Sequence, residues 1–430
     1  MIRISIPRVT AMGCAFVCSA LVAAVAHGQS AKAPAAAREL QVVHQLGAER
    51  HQALQELAVR FNQGRSDFVV TVREGELPGG NLPHMIITDD EGVEPLLGDK
   101  PRIKPLHAAM REAGVPLRTI KPPAVIPRHA VDAQGRLMAL PVGLSTPVLY
   151  VNRDALREAG LDPDMPMQTW PALQQVLGRL YEAGSACPYT VSEPGRVMIE
   201  NASAWHNEPV TRRDGRNELP RFNGMLQIKH VALMASWHRS RYLHLFDRPA
   251  EAEARFASGE CATIAAPSSS WVQFRSKGRF DLGILSLPYH DDMPGAPQNT
   301  LADGPMLWVA AGKQAAEYKA VARFVDFWLQ PENQVAWQRE SGYLPLSRSG
   351  FLAAYSEVLG ADLENVQVAV SQLTNKPPTA ASSASILTGQ GRSIKLVDRA
   401  LEEVWAERKP TKQALDDAVA LMLTPVPKTR

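Results

Sequence analysis

Short motifs that mark common enzymes are missing from this 430-residue sequence. It contains no G-x-S-x-G serine, no G-x-x-x-x-G-K-[ST] phosphate loop, no C-x-x-C pair and no helix with histidines four residues apart. These absences disfavour serine hydrolases, P-loop nucleotide hydrolases, thiol oxidoreductases and zinc proteases. An exported phosphodiesterase is the enzyme alternative, but it needs a metal cluster or an activated nucleophile, and the sequence shows neither.

The first 28 residues differ in composition from the rest and predict a secretory signal peptide. Arg3 and Arg8 precede an apolar, alanine-rich run over residues 11–26, and small residues follow at the expected cleavage point. The run is too short and too rich in alanine for a typical membrane span, and a retained anchor is the alternative. We therefore expect export to the periplasm, with residues 1–28 as signal peptide and 29–38 as a low-complexity linker.

Neither sign of charge is in excess once the signal peptide is removed. The whole sequence has 46 basic and 44 acidic residues, and two of the basic ones, Arg3 and Arg8, lie in the signal. The mature chain therefore has a net charge of zero, which disfavours binding of nucleic acid. Cysteine is also scarce, because only Cys187 and Cys261 remain after export. In an oxidising compartment these two either form a disulfide or stay buried as thiols.

Strands and helices alternate along the mature sequence, which predicts an open α/β sheet. Residues 39–46, 67–74 and 84–90 are predicted strands, and a helical period of apolar residues separates the first two. Residues 169–184 predict a helix that begins at Thr169 as its N-cap. Ligands of such folds bind at the carboxyl ends of strands, near changes of chain order.

Five segments carry a family resemblance. They are STPVLYVNRDALREAGLDPDMPMQTWPAL (145–173), ENASAW (200–205), SGECATIAAPSSS (258–270), APQN (296–299) and SGYLPL (341–346). Together they resemble the cluster D solute-binding proteins of ABC importers, and within them the glycerol-3-phosphate-binding branch. The resemblance covers nearly the whole mature chain.

That resemblance implies a two-lobed α/β fold of the periplasmic binding protein type II class, in which each lobe is an open mixed sheet flanked by helices. Residues 39–144 and 302–348 are expected to form lobe one, and residues 145–301 and 349–425 lobe two. The implied ligand is a phosphorylated polyol, glycerol 3-phosphate or a glycerophosphodiester. A monomeric receptor of this kind delivers its ligand to the inner-membrane permease subunits of an ABC importer, with no cofactor, no metal and no catalytic step.

The family's ligand positions fall on five residues here. Ser145 takes the place of a cleft hydroxyl donor, and Asp90 takes that of an acidic acceptor, usually Glu, for glycerol hydroxyls. Gly304 precedes a strand and matches a backbone contact, and Tyr343 matches the tyrosine of the G-Y-L-P turn. Arg392 matches an arginine near the last helix, with the register shifted by about two residues. Packing of the turn is the competing interpretation of Tyr343, and an exposed surface position is that of Asp90 and Arg392.

Four departures from the family pattern weaken the inference about the ligand. A helix with a tyrosine after the second strand is missing, and two tryptophan positions hold Glu193 and Arg196. Pro267 replaces a serine, and Val43 replaces a tryptophan. Arg196 and Trp271 are candidate replacements for the lost charge and aromatic surface. The alternatives are a receptor of the same fold for a sugar or a neutral polyol, and a docking protein that binds no ligand.

Overall fold

The computed structural model describes residues 38–63, 67–77, 80–97, 100–117, 126, 130–215, 217–357, 361–382 and 391–424. The predicted signal peptide lies outside these residues, and so does the predicted linker except for Arg38, which begins the first strand. Within the described ranges, no helix has the length and apolar character needed to cross a membrane.

Thirteen strands and fifteen α-helices follow one another in the described part of the chain. The strands are β1 (Arg38–His44), β2 (Phe68–Glu74), β3 (Met85–Thr88), β4 (Ile103–Lys104), β5 (Leu140–Pro141), β6 (Pro147–Asn152), β7 (Cys187–Val191), β8 (Thr211–Asp214), β9 (Asn217–Pro220), β10 (Leu243–His244), β11 (Cys261–Pro267), β12 (Leu282–Leu285) and β13 (Met306–Ala310).

The helices are α1 (Ala48–Asn62), α2 (Asp90–Val93), α3 (Leu106–Glu112), α4 (Arg153–Glu158), α5 (Trp170–Glu182), α6 (Ala202–Trp205), α7 (Met225–Arg239), α8 (Pro249–Ala257), α9 (Trp271–Lys277), α10 (Ala315–Trp328), α11 (Pro331–Ser341), α12 (Arg348–Glu357), α13 (Ala361–Leu373), α14 (Gly391–Trp405) and α15 (Thr411–Leu423). A wider, π-helical segment, Gly195–Asn201, runs directly into α6.

Two mixed sheets form the framework, which confirms the predicted α/β class with open sheets flanked by helices. The first sheet has the order β2-β1-β3-β13-β4, and β5 also pairs with β13. The second has the order β10-β7-β11-β6-β12. In the first sheet β1 runs parallel to β2 and β3 whereas β13 is antiparallel to β3, and in the second β11 runs parallel to β7 and antiparallel to β6.

Helix α1 covers the first sheet with the apolar face that its sequence predicts. Leu54, Leu57 and Phe61 are all buried, and Phe61 packs edge-on against Phe324 of α10. Full burial of such a side chain stabilises the fold by about 1.5–3 kcal/mol. The apolar period therefore fixes which side of α1 faces the sheet and which side is left for other contacts.

Helix α5 covers the second sheet and begins where the sequence predicts. The Thr169 hydroxyl accepts a hydrogen bond from the backbone N–H of Ala172 at 3.3 Å, which satisfies one of the free donors of the first turn. Trp170 and Leu173 are buried below it. Cys187 of β7 and Cys261 of β11 lie side by side in this sheet and form a disulfide.

Three buried histidines lie behind the same sheet. Nδ1 of His206 donates to the carbonyl of Ala202 at 2.6 Å, and its Nε2 accepts from the backbone N–H of His290 at 2.7 Å. Nδ1 of His230 lies 3.3 Å from Nε2 of His290. The trio thereby joins the end of α6, helix α7 and the segment after β12.

The chain crosses between the sheets along two paired segments. Ser145 and Asp303 exchange backbone hydrogen bonds at 2.9 Å in both directions, and the hydroxyls of Thr146 and Thr300 lie 2.8 Å apart. Gly304 has a φ of 141°, and a Cβ atom there would lie 1.6 Å from the carbonyl oxygen of Gly143. Only glycine fits this close approach, so the sequence at 304 is set by the crossing itself.

Candidate functional site

A cavity of about 750 Å³ opens where β7 ends. The segment after β7 forms one wall and α14 forms another. Asp89, which follows β3 of the first sheet, lies in a third wall. Ligands of open α/β sheets bind at the carboxyl ends of strands. The lining is Asp89, Ser192, Glu193, Pro194, Gly195, Arg196, His238, Leu245, Phe246, Asp247, Pro249, Ile394, Asp398, Leu401, Glu402, Trp405, Ala406 and Arg408.

Carboxylates dominate the charge of this cavity. Five of its lining residues are acidic, and two, Arg196 and Arg408, are arginines. Arg196 forms an ion pair with Asp303 and also approaches Glu200 at 4.0 Å, and Arg408 pairs with Glu403 at 2.8 Å. Both arginines are therefore already bound to acidic partners.

Asp398 holds the start of the helical segment that lines the cavity. The backbone N–H of Gly195 donates to its Oδ1 at 2.9 Å, and a Cβ atom at position 195 would lie 2.7 Å from that oxygen. Burial raises the pKa of the Asp398 carboxyl to about 6 against the opposing effect of this hydrogen bond, and the negative charge of Glu193 raises it further. A change from neutral to acidic pH is therefore expected to protonate Asp398 in the cavity wall.

A second polar group lies beside the first sheet, and we call it the Arg50 cluster: Arg50, Glu253, Ser269, Ser270 and Tyr343. Nε of Arg50 donates to the carbonyl of Ser341 at 3.2 Å, and its Nη2 donates to the carbonyl of Ser269 at 3.5 Å. The guanidinium carbon lies 4.6 Å from the centre of the Tyr343 ring, within range of a cation–π contact.

Glu253 gives the Arg50 cluster a carboxyl group. Its Oε1 accepts from the hydroxyl of Ser270 at 2.9 Å. Burial raises the pKa of Glu253, the Ser270 hydrogen bond and the charge of Arg50 oppose that rise, and Glu193 adds to it. Burial likewise raises the pKa of Tyr343, Arg50 lowers it, and Glu193 and Asp89 raise it. Glu193 and Asp89 thus act on the Arg50 cluster while lining the cavity.

The predicted site residues near the crossing fall into one region. Ser145 is buried, and its Oγ lies 3.4 Å from the carbonyl of Asp303. Gly304 lies between the two residues that pair with Ser145 and Gly143, and its own N–H donates to Oδ1 of Asp303 at 2.8 Å. Tyr343 is 5% exposed and stacks on Trp337 with its face toward Arg50, so its ring packs within the turn region as the competing interpretation expects.

Two other predicted residues cannot be compared in the same way. Asp90 begins α2 and Arg392 lies in the first turn of α14, but their side chains are outside the described part of the chain. Asp89, the neighbour of Asp90, lines the cavity.

Trp271 was a candidate for cleft surface, yet it is buried and stacks 6.3 Å from Tyr150 in the core. Its place on α9, beneath the loop after β11, directs the ring inward.

Four polar residues of these two regions were not among those predicted from the sequence: Arg50, Asp89, Glu253 and Asp398. One signal was present for two of them, because Asp89 directly follows β3 and Arg50 lies in the first turn of the helix after β1. Both positions are at carboxyl ends of strands, where ligands bind in such folds. Glu253 and Asp398 lie in helices, and their approach to the site depends on how α8 and α14 pack.

Comparisons with known proteins bear on this site. The family described as bacterial extracellular solute-binding protein matches residues 59–354. The sn-glycerol-3-phosphate-binding periplasmic protein UgpB of Pectobacterium atrosepticum is 33% identical over 401 residues, which cover 89% of this chain and 90% of the relative. UgpB of Salmonella typhimurium is 33% identical over 398 residues, which cover 87% and 90%.

Solved structures of binding proteins share the fold. UgpB from Mycobacterium tuberculosis in complex with glycerophosphocholine has a TM-score of 0.69 at 16% identity, covering 89% of this chain and 97% of that one. Maltose-bound MalE3 of T. maritima has a TM-score of 0.70 at 14% identity, covering 90% and 99%. At these identities the two structures establish the fold alone.

Proposed function

This chain belongs to the bacterial extracellular solute-binding protein family, and from that membership we propose that it is a periplasmic receptor for a glycerol phosphate or a glycerophosphodiester. The observation that carries the proposal is the match with UgpB proteins at 33% identity across nine-tenths of both chains. The cavity at the end of β7, with walls from both sheets, supports it, because a solute held there contacts both halves of the molecule.

We propose that the two sheets correspond to two lobes, with residues 39–144 and 302–348 in one and 145–301 and 349–425 in the other. The ligand then lies between them, bordered by Ser145, Gly304, Tyr343 and Arg196. Contacts from Asp90 and Arg392 stay predictions. In this proposal the loaded receptor delivers its ligand to the permease of an inner-membrane ABC importer and acts as a receptor and not as an enzyme; the match to periplasmic binding proteins supports it.

Charge favours a diester over a monoester as the ligand. A phosphate monoester carries nearly two negative charges at neutral pH, whereas a diester carries one. The five carboxylates of the cavity repel the second charge. They also suit a cationic headgroup, for which Trp405 offers an aromatic ring in the same lining. The glycerophosphocholine complex of the mycobacterial UgpB shows that this fold accommodates a ligand of that type.

A neutral sugar or polyol is the second candidate, and the acidic lining is the observation that favours it. Carboxylate oxygens accept hydrogen bonds from sugar hydroxyls without needing a positive partner. The fold also occurs in maltose-binding proteins. The two candidates differ in whether a phosphate group is required for binding.

Isothermal titration calorimetry on the mature protein separates the candidates. Glycerophosphocholine, sn-glycerol 3-phosphate, glycerol and maltose are titrated in parallel at pH 7.5. We expect micromolar or tighter binding of glycerophosphocholine, weaker binding of sn-glycerol 3-phosphate, and no heat with glycerol or maltose. Binding of maltose alone would replace the proposal with the sugar candidate.

A further inference from the structure

One arginine contacts segments from both sheets. Arg50 lies in the first turn of α1, which packs on the first sheet, and its Nε donates to the carbonyl of Ser341 at the end of α11. Its Nη2 reaches the carbonyl of Ser269, in the loop that follows β11 of the second sheet. The guanidinium therefore lies where the two halves of the molecule meet.

The surroundings hold this guanidinium in place. Gly342 adopts a φ of 78°, and a Cβ atom there would lie 2.4 Å from the carbonyl oxygen of Ser269, so the turn after α11 presses directly on the loop after β11. Tyr343 follows, with one face toward Arg50 and a Trp337 ring stacked 6.2 Å away. A cation in such a packed position loses little further freedom when it binds a ligand.

Arg50 differs from Arg196 in its partners. Arg196 forms an ion pair with Asp303. Within the described residues, no carboxylate lies within the 4.0 Å ion-pair limit of Arg50, and two backbone carbonyls accept its hydrogen bonds. The nearby carboxyl of Glu253 is held by the hydroxyl of Ser270 instead. The charge of Arg50 is thus not neutralised by an acidic partner in this part of the chain.

We propose that Arg50 is an anion-binding residue of the cleft, which holds the ligand's phosphate against the Ser269–Ser270 loop. This rests on the proposed function and assigns one residue within it. A guanidinium presents five N–H donors in a planar fork that fits phosphate oxygens. Arg50 is half-buried, and the donors of its hydrogen bonds to Ser341 and Ser269 are Nε and Nη2, not Nη1. Binding exchanges contacts of 3.2 and 3.5 Å with neutral carbonyls for shorter hydrogen bonds to an anion, with opposite charges on donor and acceptor.

The test compares Arg50→Gln with a matched control. Lys277→Gln removes another cation of the same interface, since Lys277 pairs at 2.9 Å with Glu49, the residue next to Arg50, on an exposed surface. Loss of one partner of a charged contact in a binding site weakens affinity by roughly 30-fold or more. By calorimetry we expect Arg50→Gln to bind glycerophosphocholine and sn-glycerol 3-phosphate at least about 30-fold more weakly, and Lys277→Gln to stay within about twofold of the parent.

A second variant is used in case Arg50→Gln does not fold, which circular dichroism and a thermal melt would show. Arg50→Lys keeps the charge but loses the fork, so we expect a roughly fivefold loss for both phosphate compounds. If the parent binds neither phosphate compound, the proposed function itself is wrong. If the parent binds them and a folded Arg50→Gln variant binds equally well, Arg50 is not the anion-binding residue. If Arg50→Gln does not fold, the same conclusion follows when Arg50→Lys binds as well as the parent. An equal loss for a neutral ligand would also overturn the inference, because Arg50 would then act on the lobes and not on the phosphate.

Discussion

The Arg50 cluster and the cavity differ in charge. The Arg50 cluster holds a guanidinium from the first turn of α1, with Tyr343 beside it. The cavity is lined by carboxylates from both sides, Asp89 after the first sheet's β3 and Glu193 and Asp398 beside the second sheet, which is braced by a disulfide and three buried histidines. A ligand with a negative group at one end and a positive or hydroxyl-rich group at the other complements both regions. The division of charge therefore says more about the ligand than the net charge of the cavity does.

The largest effect is expected from breaking the brace of the second sheet. The disulfide between Cys187 and Cys261 closes a loop of 74 residues. In the chain-entropy account, its loss in the double variant Cys187→Ala/Cys261→Ala lowers the free energy of unfolding by about 4 kcal/mol. Urea denaturation of parent and variant measures the difference. A change below about 1 kcal/mol would show that sheet packing, and not the disulfide, carries the rigidity of this side.

Acid weakens the same side through the buried histidines. Burial lowers the pKa of His206, His230 and His290, that of His290 to about 4, and the charge of Lys229 lowers it further for His206 and His290. Between about pH 6.5, where unfolded histidine titrates, and pH 4, the unfolded chain binds more protons than the folded one. The contribution of these histidines to the free energy of unfolding is therefore fully present above this pH range and is lost as the pH falls through it.

We expect the free energy of unfolding to drop by about 1–2 kcal/mol between pH 7 and pH 5, because the buried imidazoles resist protonation in the folded state. The raised pKa of Asp398 works in the opposite direction, since protonating it in the folded state adds stability below pH 6. His290→Asn should flatten the decline. A decline of unchanged slope in that variant would assign the acid sensitivity to other groups.

The smallest expected effect comes from one charge in the cavity. Asp398→Asn keeps an oxygen to accept from the N–H of Gly195 but removes the negative charge. At pH 7.5 this relieves about 1 kcal/mol of repulsion, so sn-glycerol 3-phosphate should bind roughly fivefold more tightly. Glycerophosphocholine should bind less tightly, because its cationic headgroup loses a partner. Calorimetry with both compounds measures the contrast, and shifts in the same direction would contradict the division of charge.

The helices and strands could be predicted from short stretches of sequence, whereas many residues of the candidate site could not. An apolar period fixed the buried face of α1 at Leu54 and Leu57, and the Thr169 hydroxyl fixed the start of α5. Each of these features is decided by residues within a few positions along the chain. Local signals place Arg50 only near the carboxyl end of β1, because its contacts are the carbonyls of Ser341 and Ser269, more than two hundred residues away.

The family resemblance predicted backbone positions better than side-chain directions, because side-chain directions depend on contacts with distant residues. It assigned Ser145 and Gly304 as ligand contacts, and both lie where the chain crosses between the sheets. Trp271 was a candidate replacement for aromatic surface that the family has and this sequence lacks, but its ring packs against Tyr150 in the core. A family pattern carries over positions of the backbone, whereas the direction of a side chain depends on neighbours that differ in this sequence.

Binding of a phosphate-containing ligand by the parent protein is the most direct test of the whole account. Calorimetry with glycerophosphocholine at pH 7.5, with maltose and glycerol as neutral controls, is sufficient. We expect a single site per chain with micromolar or tighter affinity for glycerophosphocholine and no heat from the controls. Binding of a neutral control with none of the phosphate compound would contradict it.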